Sequence, residues 1–523
     1  GKPHLKSFIG RVLYNLCHSK KDMKKKIYIL LLGVVIGLTA CSDWLGVQPK
    51  TSISGDDLFE SEAGFKDVLT GFYLKMGQTN LYAENLTYGY LEMVSGNYDF
   101  YPNLYSWKDI YDYNKTWLSV KDNIYGSMYN IIGNINNFLK YIDKNRSVIK
   151  TGKYYELMKG EALGLRAFLH FDLLRLFGPV YSENPTGKAI PYRGSFDQKA
   201  TPVLPAEQVI TYVLKDLHEA DSLLEVSDNK SFEIPNTYDK EYNAFESSRQ
   251  MRMNVYAVRA MLARVYLYKG DVESKAKALT YAREVVESGY FDLYEDNSNP
   301  VLFGEHVFGL NVYELDKLLE EEGKYKTRIP EGQLSETYYI LRTKENFDEQ
   351  FETGSRGTYD IRANTHAFKN VSGNGDKKYK LCLKYDQSKY TSNYSKYAGK
   401  DVLPLIRLPE MYYIIAECET DKEKSVEALN TVMWARGIAY EDGVIADDAY
   451  DRLDTRPEYD PSRTKRINEL MREYRKEFFS EGQLFYFYKR HNYRTFPYCV
   501  KENMADFYQW PLPDNEIIFG NNN

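Results

Sequence analysis

Residues 95–117 read SGNYDFYPNLYSWKDIYDYNKTW, and eight of these 23 side chains are aromatic, interleaved with asparagine and aspartate. Flat rings stack on the C–H faces of a sugar while amides and carboxylates bond its hydroxyls, so this mixture suits a surface for an uncharged polar oligomer. Tyr98, Asp99, Tyr101, Asn103, Tyr105 and Trp107, grouped around Pro102, are the candidate ligand-binding residues. The competing reading is that Tyr111, Tyr113 and Trp117 open the next helix and pack inward. Tyr325, Tyr338 and Tyr359, in a later irregular stretch, are candidate second contributors.

A different chemistry belongs to Cys41. It closes MKKKIYILLLGVVIGLTAC, in which three lysines precede an apolar run of twelve residues and a small Thr-Ala pair. As a helix that run spans about 18 Å, against roughly 30 Å of bilayer hydrocarbon, so it reads as an export signal over residues 23–40 and not as a membrane span. The Leu-Thr-Ala-Cys ending resembles the lipobox of bacterial lipoproteins, which implies cleavage before Cys41 and lipidation of its sulfur; an ordinary signal peptide with a chance cysteine is the alternative. Several acyl chains hold firmly, at about 0.8 kcal/mol per buried methylene, so the body would sit in water on a membrane surface. Residues 1–22, which begin with glycine, read as read-through upstream of the start.

Catalytic patterns are missing. No HExxH, GxSxG, phosphate-binding loop or calcium-binding EF-hand pattern occurs. His170, His218, His306, His366 and His491 are widely separated, and His170, four residues after Arg166 in an apolar helical pattern, reads as structural. Acidic pairs are plentiful, but sequence spacing does not set the separation that glycoside hydrolysis requires. DLYEDNSN, residues 292–299, carries oxygen ligands without the glycine and terminal glutamate of a calcium loop, and reads as a solvated turn. Cys382, Cys418 and Cys499 are scattered and form no CxxC, so neither a zinc site nor a disulfide framework is indicated. No metal and no cofactor are expected.

Charge narrows the partners. The leader's eight basic residues and one aspartate remove seven positive charges from a formal −6, leaving −13 on residues 41–523. That balance disfavours nucleic acid, whose phosphates ask for a basic footprint, and equally a polybasic grip on anionic lipid. The 48 tyrosines against five tryptophans suit helix packing near water and polar-tolerant binding surfaces alike.

These side chains need a scaffold, and the helical periods supply one. Residues 153–177 place Leu157, Leu165, Phe168, Leu169, Leu173 and Leu176 on one face, with Gly178-Pro179 as the stop. A second amphipathic helix is expected over residues 205–224. Asn254 can cap a helix to Lys269, Gly270-Asp271 makes a turn, and a second helix follows; the unit 255–288 has the 34-residue length of a tetratricopeptide repeat. With Ala263 at the close-contact position, Leu262, Tyr266, Leu279 and Ala282 fit the pattern, while Lys275 stands where a small residue is expected. The same template around Ala416 fits Tyr412, Ile415, Ala428, Val432 and Ala435 in residues 409–437. Between about 291 and 402 the period fades into loops and short strands, and a last helix is expected over residues 464–480. The fold class is mostly α, with repeat-like helical pairs forming a scaffold and an irregular half carrying short strands.

The order of these pieces resembles the SusD/RagB family of outer-membrane nutrient-binding lipoproteins of Bacteroidetes. The resemblance runs through CSDWLGVQPK from Cys41, GEALGLRAFLHFDLLRLFGPV from Gly160, MLARVYLYKGDVESKAKALTYAREVVESGYFDL from Met261, the triplet Asp360-Ile361-Arg362, LPLIRLPEMYYIIAEC from Leu403, and EFFSEGQLFYFYKR from Glu477. Leu484 and Phe487 depart from it, standing where the family commonly shows arginine and aspartate, in a stretch that reads as scaffold. The resemblance implies a single domain over residues 41–523 with four helix pairs and an irregular ligand-facing half. It also implies a role: a non-enzymatic cell-surface lipoprotein, lipid-anchored in the outer membrane, that binds an oligosaccharide. The partner it implies is a SusC-like TonB-dependent β-barrel transporter, with the repeats as docking face. Peptide capture by the same architecture is the runner-up; a lipid-anchored glycosidase and a periplasmic scaffold are readings of other classes.

Overall fold

The computed structural model describes residues 57–99, 110–111, 118–197, 199–232, 243, 245–293, 300–322, 325–326, 338–372, 378–386, 399–438 and 460–519. The chain divides into two compact units, Gly1–Leu58 and Phe59–Asn523. Only residues 57–58 of the first are described, so the expected leader and Cys41 lie outside the described residues, and the fold is that of the second. Among the described residues no helix is long and apolar enough to cross a membrane.

The second unit is mostly helical. In chain order its main helices are α1 (Glu62–Met76), α2 (Tyr90–Val94), α3 (Leu118–Lys144), α4 (Tyr154–Phe177), α5 (Ala206–Ser227), α6 (Val255–Lys269), α7 (Val272–Val286), α8 (Lys344–Phe351), α9 (Leu408–Cys418), α10 (Lys422–Ala435), α11 (Lys465–Glu477), α12 (Gln483–Arg490) and α13 (Asp514–Phe519). Four pairs form a stack: α1 packs on α3, α4 on α5, α6 on α7 and α9 on α10, and α3–α4, α5–α6 and α7–α9 contacts join each pair to the next. Such stacking buries in a neighbour the apolar face that one pair cannot bury alone.

The repeat reading holds in detail at its caps. The Asn254 side chain accepts from the Ala257 N–H, Gly270 stops α6 at φ 76°, and Asp271 caps α7 by accepting from Ser274. Ala263 and Ala416 are fully buried. At the misfit the structure shows the reason: the buried stripe of α7 is Ser274, Ala278, Ala282 and Val285, so Ser274 supplies the small side chain and Lys275 stands beside the contact.

Three expectations change. α4 is not a one-faced helix, since every residue from Gly160 to Phe177 is buried. Its two glycines explain how neighbours come so near: a Cβ at Gly160 would sit 2.7 Å from Leu224 Cγ, and one at Gly164 would sit 2.5 Å from Met253 Cγ. Its polar residues are paired, with Glu161 accepting from Arg249 (2.7 Å), Arg252 (3.0 Å) and the Tyr73 hydroxyl (2.8 Å), and Arg166 making two 2.7 Å bonds to Asp216. Second, the irregular stretch contains a helix, α8, capped by Thr343. Third, the helix expected over 464–480 is α11 but is not the last: past Gly482, at φ 72°, a further helix, α12, follows. Leu484 and Phe487, the departures from the family pattern, are buried, and Phe487 packs on Tyr474 with centroids 4.5 Å apart.

The strands are short: β1 (Lys188–Pro191) pairs antiparallel with β2 (Val203–Pro205), and β3 (His306–Asn311) with β9 (Val402–Arg407). Between them β4 (Tyr325–Lys326) runs parallel to β5 (Tyr338–Tyr339), while β6 (Leu341–Thr343), β8 (Lys378–Cys382) and β7 (Phe368–Ser372) form a sheet in that spatial order.

Helices and strands meet on buried charge. Glu477 at the end of α11 accepts from Arg407 at the end of β9 (2.7 Å), Arg436 after α10 (2.8 and 3.0 Å) and Arg362 (2.9 Å). Arg407 and Arg436 also grip Glu305, and Arg362 is held in a fork by Asp360 and bonded to Glu473. Burial alone would push the Glu477 carboxyl up, but Arg436, Arg407 and Arg362 outweigh it and hold it well below the usual carboxylate range. The Asp-Ile-Arg triplet is thus one corner of an ion network tying the irregular half to the stack.

Removing one member leaves the others buried and unpaired, which costs about 3–5 kcal/mol. Glu477→Ala is expected to lower unfolding free energy by roughly that amount in urea titration. An unchanged midpoint and slope would show that the network does not hold the halves together.

Candidate ligand-binding surface

The aromatic segment identified in the sequence starts from a buried platform. α2 is buried throughout, and Glu92 within it accepts from Asn97 Nδ2 (2.6 Å), Gly482 N (2.7 Å) and Ser480 N (3.1 Å). Only glycine serves at 482, because a Cβ there would meet Leu86 O at 2.2 Å. Burial pushes the Glu92 carboxyl up to about 7, despite the bonds from Asn97, Gly482 and Ser480 that favour its charged form.

Tyr98 belongs to this platform. It is 2 % exposed, its hydroxyl donates to Tyr88 O (2.6 Å) and lies 3.0 Å from Ser480 Oγ, and its ring packs against Phe479 at 5.7 Å. With its faces and hydroxyl so engaged it is a core residue, correcting its assignment as a ligand contact. Asp99 is likewise committed: its N–H donates to Leu341 O (2.9 Å), and its carboxylate accepts from Thr343 N (2.8 Å) and Asn346 Nδ2 (2.9 Å), clamping the start of α8.

On the far side of the segment the chain returns to the same helix. Tyr90 donates to Ile110 O (2.8 Å), and Tyr111 donates to Val94 O (3.1 Å) while its ring stands edge-on to Phe507. Tyr111 therefore packs inward, as the competing reading expects; Tyr113 and Trp117 precede the first described residue of α3, Leu118. Tyr101, Asn103, Tyr105 and Trp107 lie outside the described residues, as do Tyr113 and Trp117. Of the later candidates, Tyr325 and Tyr338 are register partners on β4 and β5 whose side chains lie outside the described residues, and Tyr359 is 78 % exposed beside the Asp360 turn.

Three concavities were not legible in the sequence. A closed cavity beside the ion network, lined by Phe351, Arg362, Phe368, Cys382 and Arg407, has about 30 Å³, room for one water. Two open clefts flank α13. One, of about 570 Å³, is lined by Lys188, Gln509, Trp510, Leu512 and Ile517; the other, of about 890 Å³, lies among the start of α3, residues 193–200 and α13. No motif marks them, because their residues come from distant parts of the chain.

The carboxylates of Glu305 and Glu477 are buried and share two arginines. Cys382 and Cys418 are buried, and burial pushes both thiols up, Cys418 to about 12, so neither is a ready thiolate. His170 receives the Arg193 N–H at Nε2 (3.1 Å), so its Nδ1 is the donor to Arg166 O (2.9 Å), and burial pushes its pKa down to about 3. It is a neutral packing residue stacked on Tyr192, as the sequence led us to expect. Among the described residues no group of three or more His, Cys, Asp or Glu could hold a metal ion. Of residues 292–299 only the first two are described.

Comparison with known proteins gives a consistent picture. Residues 43–267 match the family described as "Starch-binding associating with outer membrane", and residues 323–517 match the SusD family. Among solved structures, a SusD superfamily protein of Bacteroides thetaiotaomicron is 19 % identical, covering 88 % of this chain and 98 % of its own, at TM-score 0.65. One from Bacteroides fragilis is 22 % identical over 89 % and 99 %, at TM-score 0.60. A SusD-like carbohydrate binding protein of Bacteroides vulgatus is 16 % identical over 88 % and 97 %, at TM-score 0.61. At these identities the likeness is one of fold. No curated protein matches the sequence.

The platform carries a pH dependence. Glu92 has a folded-state pKa near 7 against an ordinary 4.5, so the stability it contributes is fully present below about pH 4.5 and is lost as pH rises through 7. Thermal melting between pH 5 and 8 should fall with rising pH, and Glu92→Gln should flatten that slope. A variant as steep as the parent would place the titration elsewhere.

Proposed function

The chain belongs to the SusD family, and from that membership we infer that it is a carbohydrate-binding lipoprotein of the outer membrane that captures a nutrient glycan without altering it. The capture surface is the stretch 100–109, with Tyr101, Asn103, Tyr105 and Trp107 as contacts; Tyr98 and Asp99 serve as its foundation. The observation that supports this best is the double anchoring of the residues that flank this aromatic and amide-rich stretch: Tyr98 bonds Tyr88 O, Tyr90 bonds Ile110 O and Tyr111 bonds Val94 O. Acylated Cys41 tethers the body at the cell surface. From there the glycan passes to a SusC-like TonB-dependent β-barrel, and the helical stack offers the regular face for that contact.

Binding without turnover fits the buried, arginine-held carboxylates better than hydrolysis does. Peptide capture on the same architecture remains the second reading, because ring and amide groups also receive extended peptides. Calorimetric titration against neutral oligosaccharides and a matched peptide panel separates them. Glycan binding with no release of new reducing ends is the expected result; binding of peptides alone would transfer the function to the second reading.

Trp107→Ala should weaken glycan affinity severalfold while leaving the melting temperature unchanged. Undiminished affinity would remove the segment from the site. Cys41→Ser should abolish incorporation of labelled palmitate and release the protein from the membrane fraction; retention without label would show a different anchor.

A further inference from the structure

We propose that the outer edge of α8, with Glu349 on the helix and Tyr498 bonded to it, is a further part of the capture surface and selects uncharged over acidic glycans. The proposal rests on the reading that the stretch 100–109 takes a glycan, and adds to it residues from distant parts of the chain. α8 is fixed to the chain that enters that stretch. The Asp99 carboxylate accepts from Thr343 N and Asn346 Nδ2, and Gln350 donates to Asn97 Oδ1 (3.4 Å) and Arg475 O (2.7 Å). Asn346 and Glu349 stand one turn apart on the same helix face, so the edge leads from Asp99 to Tyr498.

Tyr498 is held at this edge against its backbone preference. Its φ of 64° lies in the left-handed region, which a bulky side chain rarely adopts, so its contacts must hold it there. The loop that carries it rests on Gly96, where a Cβ would meet Pro497 O at 3.1 Å and Tyr498 C at 3.4 Å. The Arg342 guanidinium stacks 4.1 Å from the centre of its ring and donates through Nη1 to Gly96 O (2.6 Å). The Tyr498 hydroxyl donates to Glu349 Oε2, which also accepts from Arg475 Nη2 (3.2 Å). Burial and the neighbouring Glu349 push that hydroxyl up to about 12, so it stays a donor. Backbone kept in an unfavourable well by its surroundings is a mark of ligand clamps.

Charge at the edge sets the ligand class. The side chains of Arg342 and Arg475 lie beneath it, 0 % and 2 % exposed, whereas that of Glu349 is 43 % exposed. On the same helix Glu345 is also exposed, and Lys344 is paired with Asp348. The charge a ligand meets here is therefore negative. A carboxylate accepts strongly from the hydroxyls of a neutral sugar and repels the carboxylate of a uronic acid.

The test is calorimetry on the full chain with the neutral oligosaccharide panel and matched uronic-acid oligosaccharides, comparing wild type, Trp107→Ala, Glu349→Gln and Tyr498→Phe. Both new variants are conservative: glutamine still accepts from Arg475, and phenylalanine still stacks on Arg342. Affinity for neutral glycan is expected to fall about threefold or more in Glu349→Gln and in Tyr498→Phe, as lost charge-assisted bonds do. The ratio of neutral to acidic affinity should fall in Glu349→Gln and hold in Trp107→Ala, a change that a merely structural role would not produce. Neutral-glycan affinity that Trp107→Ala weakens but Glu349→Gln and Tyr498→Phe leave untouched, or a ratio unmoved in Glu349→Gln, overturns this proposal alone. A wild type that binds no oligosaccharide of either set overturns the glycan reading, and this proposal with it.

Discussion

Three arginines converge on one carboxylate at the meeting point of the two halves of the fold. Glu477 is carried by a helix, Arg407 by a strand end, Arg436 by the end of a repeat, and Arg362 by a turn in the irregular region. Each charge alone would cost several kcal/mol to desolvate, and the geometry offsets that cost only when all are in place. The irregular half lacks the periodic apolar stripe that stacks one helix pair on the next. Its position relative to the stack therefore depends on directional bonds, which fix orientation in a way that apolar contact does not.

The helical stack obeys a different rule. α4 is buried on every side, so it acts as a spine, and glycines at 160 and 164 set how near α5 and the chain before α6 approach. Its charged residues are not exceptions to burial but the means of tying it to neighbours, through Glu161 to Arg249 and Arg166 to Asp216.

Tyr98 and Tyr111 end inside the core, bonded to Tyr88 O just before α2 and to Val94 O at its end. The cleft beside α13 arises where the start of α3, a turn and the last helix meet without filling the space between them. In both places tyrosine packs its ring in the core, and at Tyr98 and Tyr111 the hydroxyl also anchors to a backbone carbonyl.

By itself the sequence determined the helical repeats, their caps at Asn254, Gly270 and Asp271, the family, the structural part of His170 and the absence of catalytic motifs, because these rest on local spacing and local hydrogen bonds. It also located an aromatic segment, but not which of its rings face inward: composition is the same for Tyr98, which closes the core, as for its neighbours. It read α4 as one-faced, because an apolar stripe says nothing about what covers the opposite side. The tertiary structure alone decided that Arg362, Arg407 and Arg436 share Glu477, and that Tyr125, Arg193 and Glu516 line one cleft. Those groups lie up to hundreds of residues apart, and only the packing of helices between them brings the charges and hydroxyls within bonding range.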